Sequence, residues 1–207
     1  MTLQCKICGV SDIATLSFII NYQFPPRFVG FIVNYPKSKR FVKIEKLKEL
    51  MNINKKKTKF VAVLVKPDDK ILKKIENLNF DYYQIYDCSP SEVKRIKIKY
   101  NVKIISAITV ENREDVLNYK KFVDCSDIIL FDSKGYEKSL DFNHELIKNV
   151  PSNINKMLAG NIKHDDNLVK FSNICDYIDI SGGLETSGLK DISKVRIFLD
   201  TIKKLND

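Results

Sequence analysis

No stretch of about 18 uncharged apolar residues occurs in the 207-residue chain, which excludes a membrane-spanning helix. The first residues, Met1-Thr2-Leu3-Gln4-Cys5-Lys6, lack the basic start and apolar region of a secretory signal, so a cytoplasmic protein is expected. Cysteine is sparse. The five, Cys5, Cys8, Cys88, Cys125 and Cys175, are odd in number and scattered, which gives no disulfide framework and suits reduced thiols in the cytosol. Cys5-Lys6-Ile7-Cys8 has the form C-x-x-C, but no second pair follows at zinc spacing, and His144 and His164 lie far away. On a strand, residues three apart point to opposite faces, so these thiols share neither a metal nor a disulfide. Glycine is scarce too. Cys8-Gly9-Val10-Ser11 lacks the Gly-rich first turn of a dinucleotide-binding sheet, and no linker, low-complexity segment or repeat divides the chain.

What is present is an ordinary globular composition, 44% apolar and 29% charged, long enough to bury a good core as one domain over residues 1–207. The net charge of +9 comes from lysines spread along the whole length. It could attract nucleic acid or an anionic substrate. No basic stripe is interleaved with aromatics, so the reading is a solvated lysine-rich surface that steers small anions and binds no nucleic acid.

Apolar β-rich runs alternate with segments of helical period from end to end. Strands are expected at 3–8, 28–33, 60–65, 82–86, 102–108, 127–131, 156–159 and 177–180. Between them, Ser11 is expected to cap a helix with Ile13, Leu16 and Ile20 on one face. Further helices are expected around 44–51, after Asp68 or Asp69, at 112–119, near 143–148, at about 165–171, and along Ile192, Val195, Leu199 and Ile202. Ser89-Pro90-Ser91-Glu92 is the clearest helix start, with an N-cap serine, proline next and glutamate three after the cap. Eight strand–helix pairs at roughly 26 residues each predict a single-domain (β/α)8 TIM barrel rather than an open doubly wound sheet.

In such a barrel, chemistry sits where strands end. Alternation places Leu3, Cys5 and Ile7 toward the helices and Lys6 and Cys8 inside. An interior lysine needs an anionic partner, and Asp179, inward on the eighth strand with Tyr177 and Ser181, can supply one. On the sixth strand Asp132 shares the inward face with Ile128 and Leu130. Cys8, Asp132 and Ser181 thus converge on one mouth. Leu158-Ala159-Gly160-Asn161 and Ser181-Gly182-Gly183-Leu184-Glu185 follow the last two strands. Their backbone amides, with the start of a short extra helix, can cradle a phosphate.

Together these residues resemble phosphoribosylanthranilate isomerase, the Amadori-rearrangement family of tryptophan biosynthesis. The matches are Lys6-Ile7-Cys8-Gly9, Val29-Gly30-Phe31 leading to Pro36-Lys37-Ser38-Lys39-Arg40, then Leu130-Phe131-Asp132 and Leu158-Ala159-Gly160. Last come Asp179-Ile180-Ser181-Gly182-Gly183-Leu184-Glu185 and Gly188-Leu189-Lys190-Asp191. The resemblance implies Cys8 as general base and Asp132 as general acid. It implies Arg40 on the anthranilate carboxylate; Lys6 and Asp179 are expected beside it as further substrate-binding residues. Gly160, Asn161, Ser181, Gly182 and Gly183 would hold the phosphate of a small phosphorylated substrate. The carboxyl must then be protonated and the thiol ionised, which a partly dry mouth and nearby Lys6 are expected to favour. No metal or organic cofactor is needed, and the chain is expected to be a monomer or homodimer.

Four departures from the family pattern stand out. Gln84-Ile85-Tyr86-Asp87 replaces Gln-Leu-His-Gly after the fourth strand. Ser106 stands where a lysine is usual, Asn161 replaces a second glycine, and Ser133-Lys134-Gly135-Tyr136-Glu137 has one glycine where the family's loop is rich in them. The alternative readings are another phosphosugar barrel, an epimerase or synthase, and a non-catalytic phosphate-binding relative. A metal-dependent epimerase would want histidines at strand ends, and indole-glycerol-phosphate synthase an extra N-terminal segment; neither is found.

Overall fold

A computed structural model describes residues 2–133 and 142–207. Eight parallel strands close a barrel in sequence order: β1 (Gln4–Cys8), β2 (Phe28–Ile32), β3 (Lys59–Val65), β4 (Tyr82–Tyr86), β5 (Lys103–Val110), β6 (Ile128–Ser133), β7 (Lys156–Leu158) and β8 (Tyr177–Ile180). The closing seam pairs Lys6 of β1 with Asp179 of β8. Around it lie α1 (Ile13–Asn21), α2 (Ile44–Met51), α3 (Asp69–Ile75), α4 (Pro90–Tyr100), α5 (Arg113–Leu117), α6 (Tyr119–Phe122) and α7 (Ile192–Asn206).

The period-2 pattern sorts the core into two layers. Leu3, Cys5 and Ile7 pack outward with the helices, whereas Cys8, Val61, Val63, Ile128 and Leu130 fill the interior. At the lower end, Phe28 meets Tyr82 and Tyr177 edge-on, with centroids 5.2 and 5.3 Å apart, so the barrel is plugged rather than hollow. The Asn206 side chain closes the same end by bonding both the N–H and the C=O of Leu3.

Several boundaries differ from expectation. Asp12, not Ser11, caps α1, accepting from the Thr15 N–H at 2.8 Å. That shifts the buried face to Leu16, Ile19 and Ile20 and leaves Ile13 exposed. The Ser89 capping box of α4 forms as read. The helix at 112–119 divides at Asn118 into α5 and α6. Among the described residues only 3-10 turns appear after β6 and β7, at His144–Asn149 and Leu168–Phe171. The first ends where Val150 is held extended before Pro151, which disfavours helical backbone. Among the described residues no extra helix stands between β8 and α7. Instead a turn, closed by the Leu184 N–H on the Ser181 carbonyl, leads into a hairpin of β9 (Glu185–Thr186) and β10 (Leu189–Lys190). Among the described residues no helix is long and apolar enough to cross a membrane.

Candidate active site

At the C-terminal ends of the strands opens a cavity of about 300 Å³. It brings together nine of the residues singled out in the sequence: Cys8, Arg40, Asp132, Gly160, Asn161, Asp179, Ser181, Gly182 and Gly183. Lys6 is the exception. It is fully buried beneath the floor, with its ammonium on Asp179 Oδ2 at 2.8 Å. From there the ammonium bears on the cavity through Asp179 and Cys8, which line it. Gly30 makes this arrangement possible. A Cβ there would stand 3.0 Å from Lys6 Nζ and 3.1 Å from Cys8 Sγ.

Asp132 projects from the C-terminal end of β6 with both oxygens engaged. Oδ1 accepts from the Ser133 N–H at 2.8 Å, and Oδ2 accepts from the Tyr86 hydroxyl at 2.8 Å. Burial raises the carboxyl pKa to about 6, a rise that the Tyr86 hydrogen bond only partly offsets. A carboxylic acid that stays partly protonated near neutrality is the state expected for it.

The thiol behaves differently from expectation. Lys6 does favour the thiolate of Cys8, but burial outweighs it and the pKa is raised. Asp179 opposes the lysine and adds to the rise, so the thiolate is a minor form in this state.

Arg40 reaches the mouth from the loop after β2, where its fork is already filled. Nε and Nη2 bond the two carboxylate oxygens of Glu185, at 2.5 and 2.9 Å. Burial alone would raise the Glu185 pKa, but Arg40 and Lys190 hold it below the ordinary range. Lys190 is itself buried, bonded to Glu185 and to the Ser181 carbonyl. Gly9, at φ +75°, lies against the Arg40 side chain and leaves no room for a Cβ.

The two loops proposed for phosphate meet across a bridge between Lys163 and Gly183. Gly183 has no space for a Cβ against the Ile162 carbonyl. Asn161 takes a left-handed φ of 49° directly after Gly160 at φ +100°, a conformation asparagine tolerates better than most residues. The Ser181 hydroxyl donates to the Cys8 carbonyl at 3.0 Å, so the loop offers its backbone rather than this side chain.

Ser106 lies outside the site. It faces the outer layer, 2.6 Å from the Ser126 hydroxyl, while Ile105 and Ala107 face inward. Residues Lys134 to Glu137 of the atypical loop lie outside the described residues. The sequence places Glu185 and Lys190 in the matched motifs but assigns them no role. Tyr86 stands in the sequence only as a departure from the family pattern, yet it shares the inward face with Gln84, whose Nε2 donates to its hydroxyl at 3.0 Å.

The family described as N-(5'phosphoribosyl)anthranilate (PRA) isomerase matches residues 5–201. N-(5'-phosphoribosyl)anthranilate isomerase of Thermoanaerobacter pseudethanolicus is 28% identical, with 97% of this chain and 98% of the relative covered. Its counterpart in Clostridium kluyveri is 29% identical, over 98% and 99%. The crystal structure of phosphoribosyl anthranilate isomerase from Thermotoga maritima superposes with a TM-score of 0.85 at 25% identity, covering 98% of this chain and 99% of that one. A further solved isomerase, in complex with reduced 1-(o-carboxyphenylamino)-1-deoxyribulose 5-phosphate, has the same fold at a TM-score of 0.82 and 24% identity, over 98% and 99%. The barrel, its order of motifs and these matches over nearly the full length lead to one assignment: the chain belongs to the N-(5'-phosphoribosyl)anthranilate isomerase family.

Proposed function

We propose that this barrel isomerises N-(5'-phosphoribosyl)anthranilate to 1-(2-carboxyphenylamino)-1-deoxyribulose 5-phosphate with Asp132 as acid and Cys8 as base. The observation that carries the reading is a half-buried carboxyl, Asp132, that holds its proton to about 6 and shares one cavity with the Cys8 thiol. Asp132 gives its proton to the furanose ring oxygen, the C1'–O bond breaks, and a Schiff base forms. The Cys8 thiolate removes the C2' proton, and the resulting enolamine tautomerises to the ketose. The atoms balance without an added oxidant, reductant, metal or organic cofactor.

The loops at Gly160 to Lys163 and Ser181 to Gly183 would take the phosphate on backbone amides. Arg40 would meet the anthranilate carboxylate at the rim, alongside or in place of Glu185. Asp179 Oδ1 is buried, lacks a hydrogen-bond partner and belongs to a cavity-lining residue, so it is suited to accept from a sugar hydroxyl.

The test is fluorimetric: purified protein should consume phosphoribosylanthranilate with loss of its fluorescence, and Cys8→Ala and Asp132→Asn should each nearly abolish this. Normal turnover by both variants would overturn the assignment of roles. Binding of a phosphate analogue by a wild-type protein that never turns over would instead favour a non-catalytic relative. Rescue of a tryptophan auxotroph lacking the isomerase tests the activity in a cell. A role in amino-acid biosynthesis supports a cytoplasmic location, which fractionation checks. Sedimentation separates monomer from homodimer; the Thermotoga maritima isomerase is described as dimeric.

A further inference from the structure

Asp132 has two oxygens and two unequal partners. The Ser133 N–H on Oδ1 is a backbone donor that cannot turn away. The Tyr86 hydroxyl on Oδ2 can rotate. A transferable proton therefore belongs on Oδ2, and the phenol must give its hydrogen to something else whenever that proton is present.

Behind the phenol stands the Gln84 amide, completely buried. Its Nε2 donates to the Tyr86 oxygen at 3.0 Å, and its Oε1 is buried without a hydrogen-bond partner. An amide's two ends are nearly the same size, so a half-turn replaces the donor by an acceptor at the same place. The remaining charged neighbours cannot adapt in this way. Lys6 on β1 and Asp179 on β8, which also act on Asp132, are locked to each other, and Cys8 on β1 faces the phenol as well. Burial, reinforced by the Asp132 charge, holds the Tyr86 pKa well above its ordinary value, so the phenol keeps its hydrogen throughout.

We infer that Gln84 and Tyr86 form a positioning relay for Asp132, its hydrogen bonds running toward the carboxylate when the acid has given its proton and toward Gln84 Oε1 when it has not. The inference rests on Asp132 being the acid, as proposed above. Donation to the carboxylate strengthens as negative charge develops, so the relay acts on the transition state more than on bound substrate.

The experiment is steady-state kinetics across pH on the full chain. Tyr86→Phe should lower kcat about 10- to 100-fold, the worth of one hydrogen bond to a charged group, with KM changed by less than about twofold. Its acidic limb in kcat/KM should move to higher pH, because the carboxylate has lost a donor. Tyr86→His, which keeps a donor, should recover much of the lost kcat. An unchanged kcat with an unmoved limb overturns the relay, and so does a rise in KM alone. Should Tyr86→Phe fail to fold, Gln84→Met carries the test: a smaller shift in the same direction is expected, and an unmoved limb overturns it. Asp132→Asn keeps the two readings apart. If it turns over normally, the acid assignment has failed; if it is inactive while Tyr86→Phe is normal, only the relay has.

Discussion

Replacing Lys6 by methionine removes a charge that solvent never reaches while keeping a side chain of similar length. Its partner Asp179 has 5% side-chain exposure and sits 2.8 Å away, so the carboxylate would be left buried without its cation. Breaking a buried pair from one side costs about 3–5 kcal/mol. For a domain of this size about 2–4 °C of Tm accompanies each kcal/mol, so a fall of about 6–20 °C is expected. Asp179→Leu, which strands the lysine instead, should cost about as much. The double variant Lys6→Met with Asp179→Leu should recover most of the loss, because removing both ions also removes their desolvation penalty. Thermal melts and urea titrations of the four proteins complete the cycle, with a coupling of about 2 kcal/mol or more between the sites. The lysine's effect on the thiol gives a second readout. Lys6→Met should raise the Cys8 pKa further and slow its alkylation by iodoacetamide, read by peptide mass spectrometry. Additive losses in the double variant, or a single-variant loss below about 1 kcal/mol, would refute the reasoning.

The pH profile of kcat/KM should rise to a plateau near pH 6, where Asp132 titrates, and fall again only above the ordinary thiol value of about 8.5. With the pair separated by at least about 2.5 units, the protonated-acid, ionised-base form is at most about one molecule in 300 on that plateau; an acidic limb near 4 would contradict it. Arg40→Lys should raise KM about tenfold or more with a smaller effect on kcat, since a point charge cannot replace a two-pronged contact; an unchanged KM for phosphoribosylanthranilate would remove Arg40 from substrate binding. Gly30→Ala should lower kcat at least about tenfold, because the new Cβ displaces Cys8 Sγ or Lys6 Nζ; wild-type kcat would show that neither group needs its present position.

The barrel and much of its mouth were legible because they follow from a period of two. Alternation along β1, β6 and β8 alone turned Cys8, Asp132 and Asp179 inward and gave Lys6 its counter-ion across the closing seam. The β9–β10 hairpin was not legible, since two-residue strands leave no pattern. The 3-10 turns after β6 and β7 looked like helices because their apolar spacing suits either. The pairing of Arg40 with Glu185 joins residues 145 positions apart, and nothing local announces it. The raised thiol of Cys8 is not legible because the sequence shows the neighbouring ammonium but not how completely the closed barrel buries the sulfur. Tyr86 and Gln84 could have been found, for their alternation on β4 is plain once Tyr86 is taken as a site residue rather than a substitution.

The bond from the Ser181 hydroxyl to the Cys8 carbonyl makes the loop proposed for phosphate and the proposed base parts of one mechanical unit. Whatever steadies the loop, as a bound phosphate would, also steadies the strand end that carries the thiol. A group that takes no part in bond making can thereby act at the carbon that does, because its binding energy is converted into alignment. A substrate without its phosphate would then lose speed as well as grip.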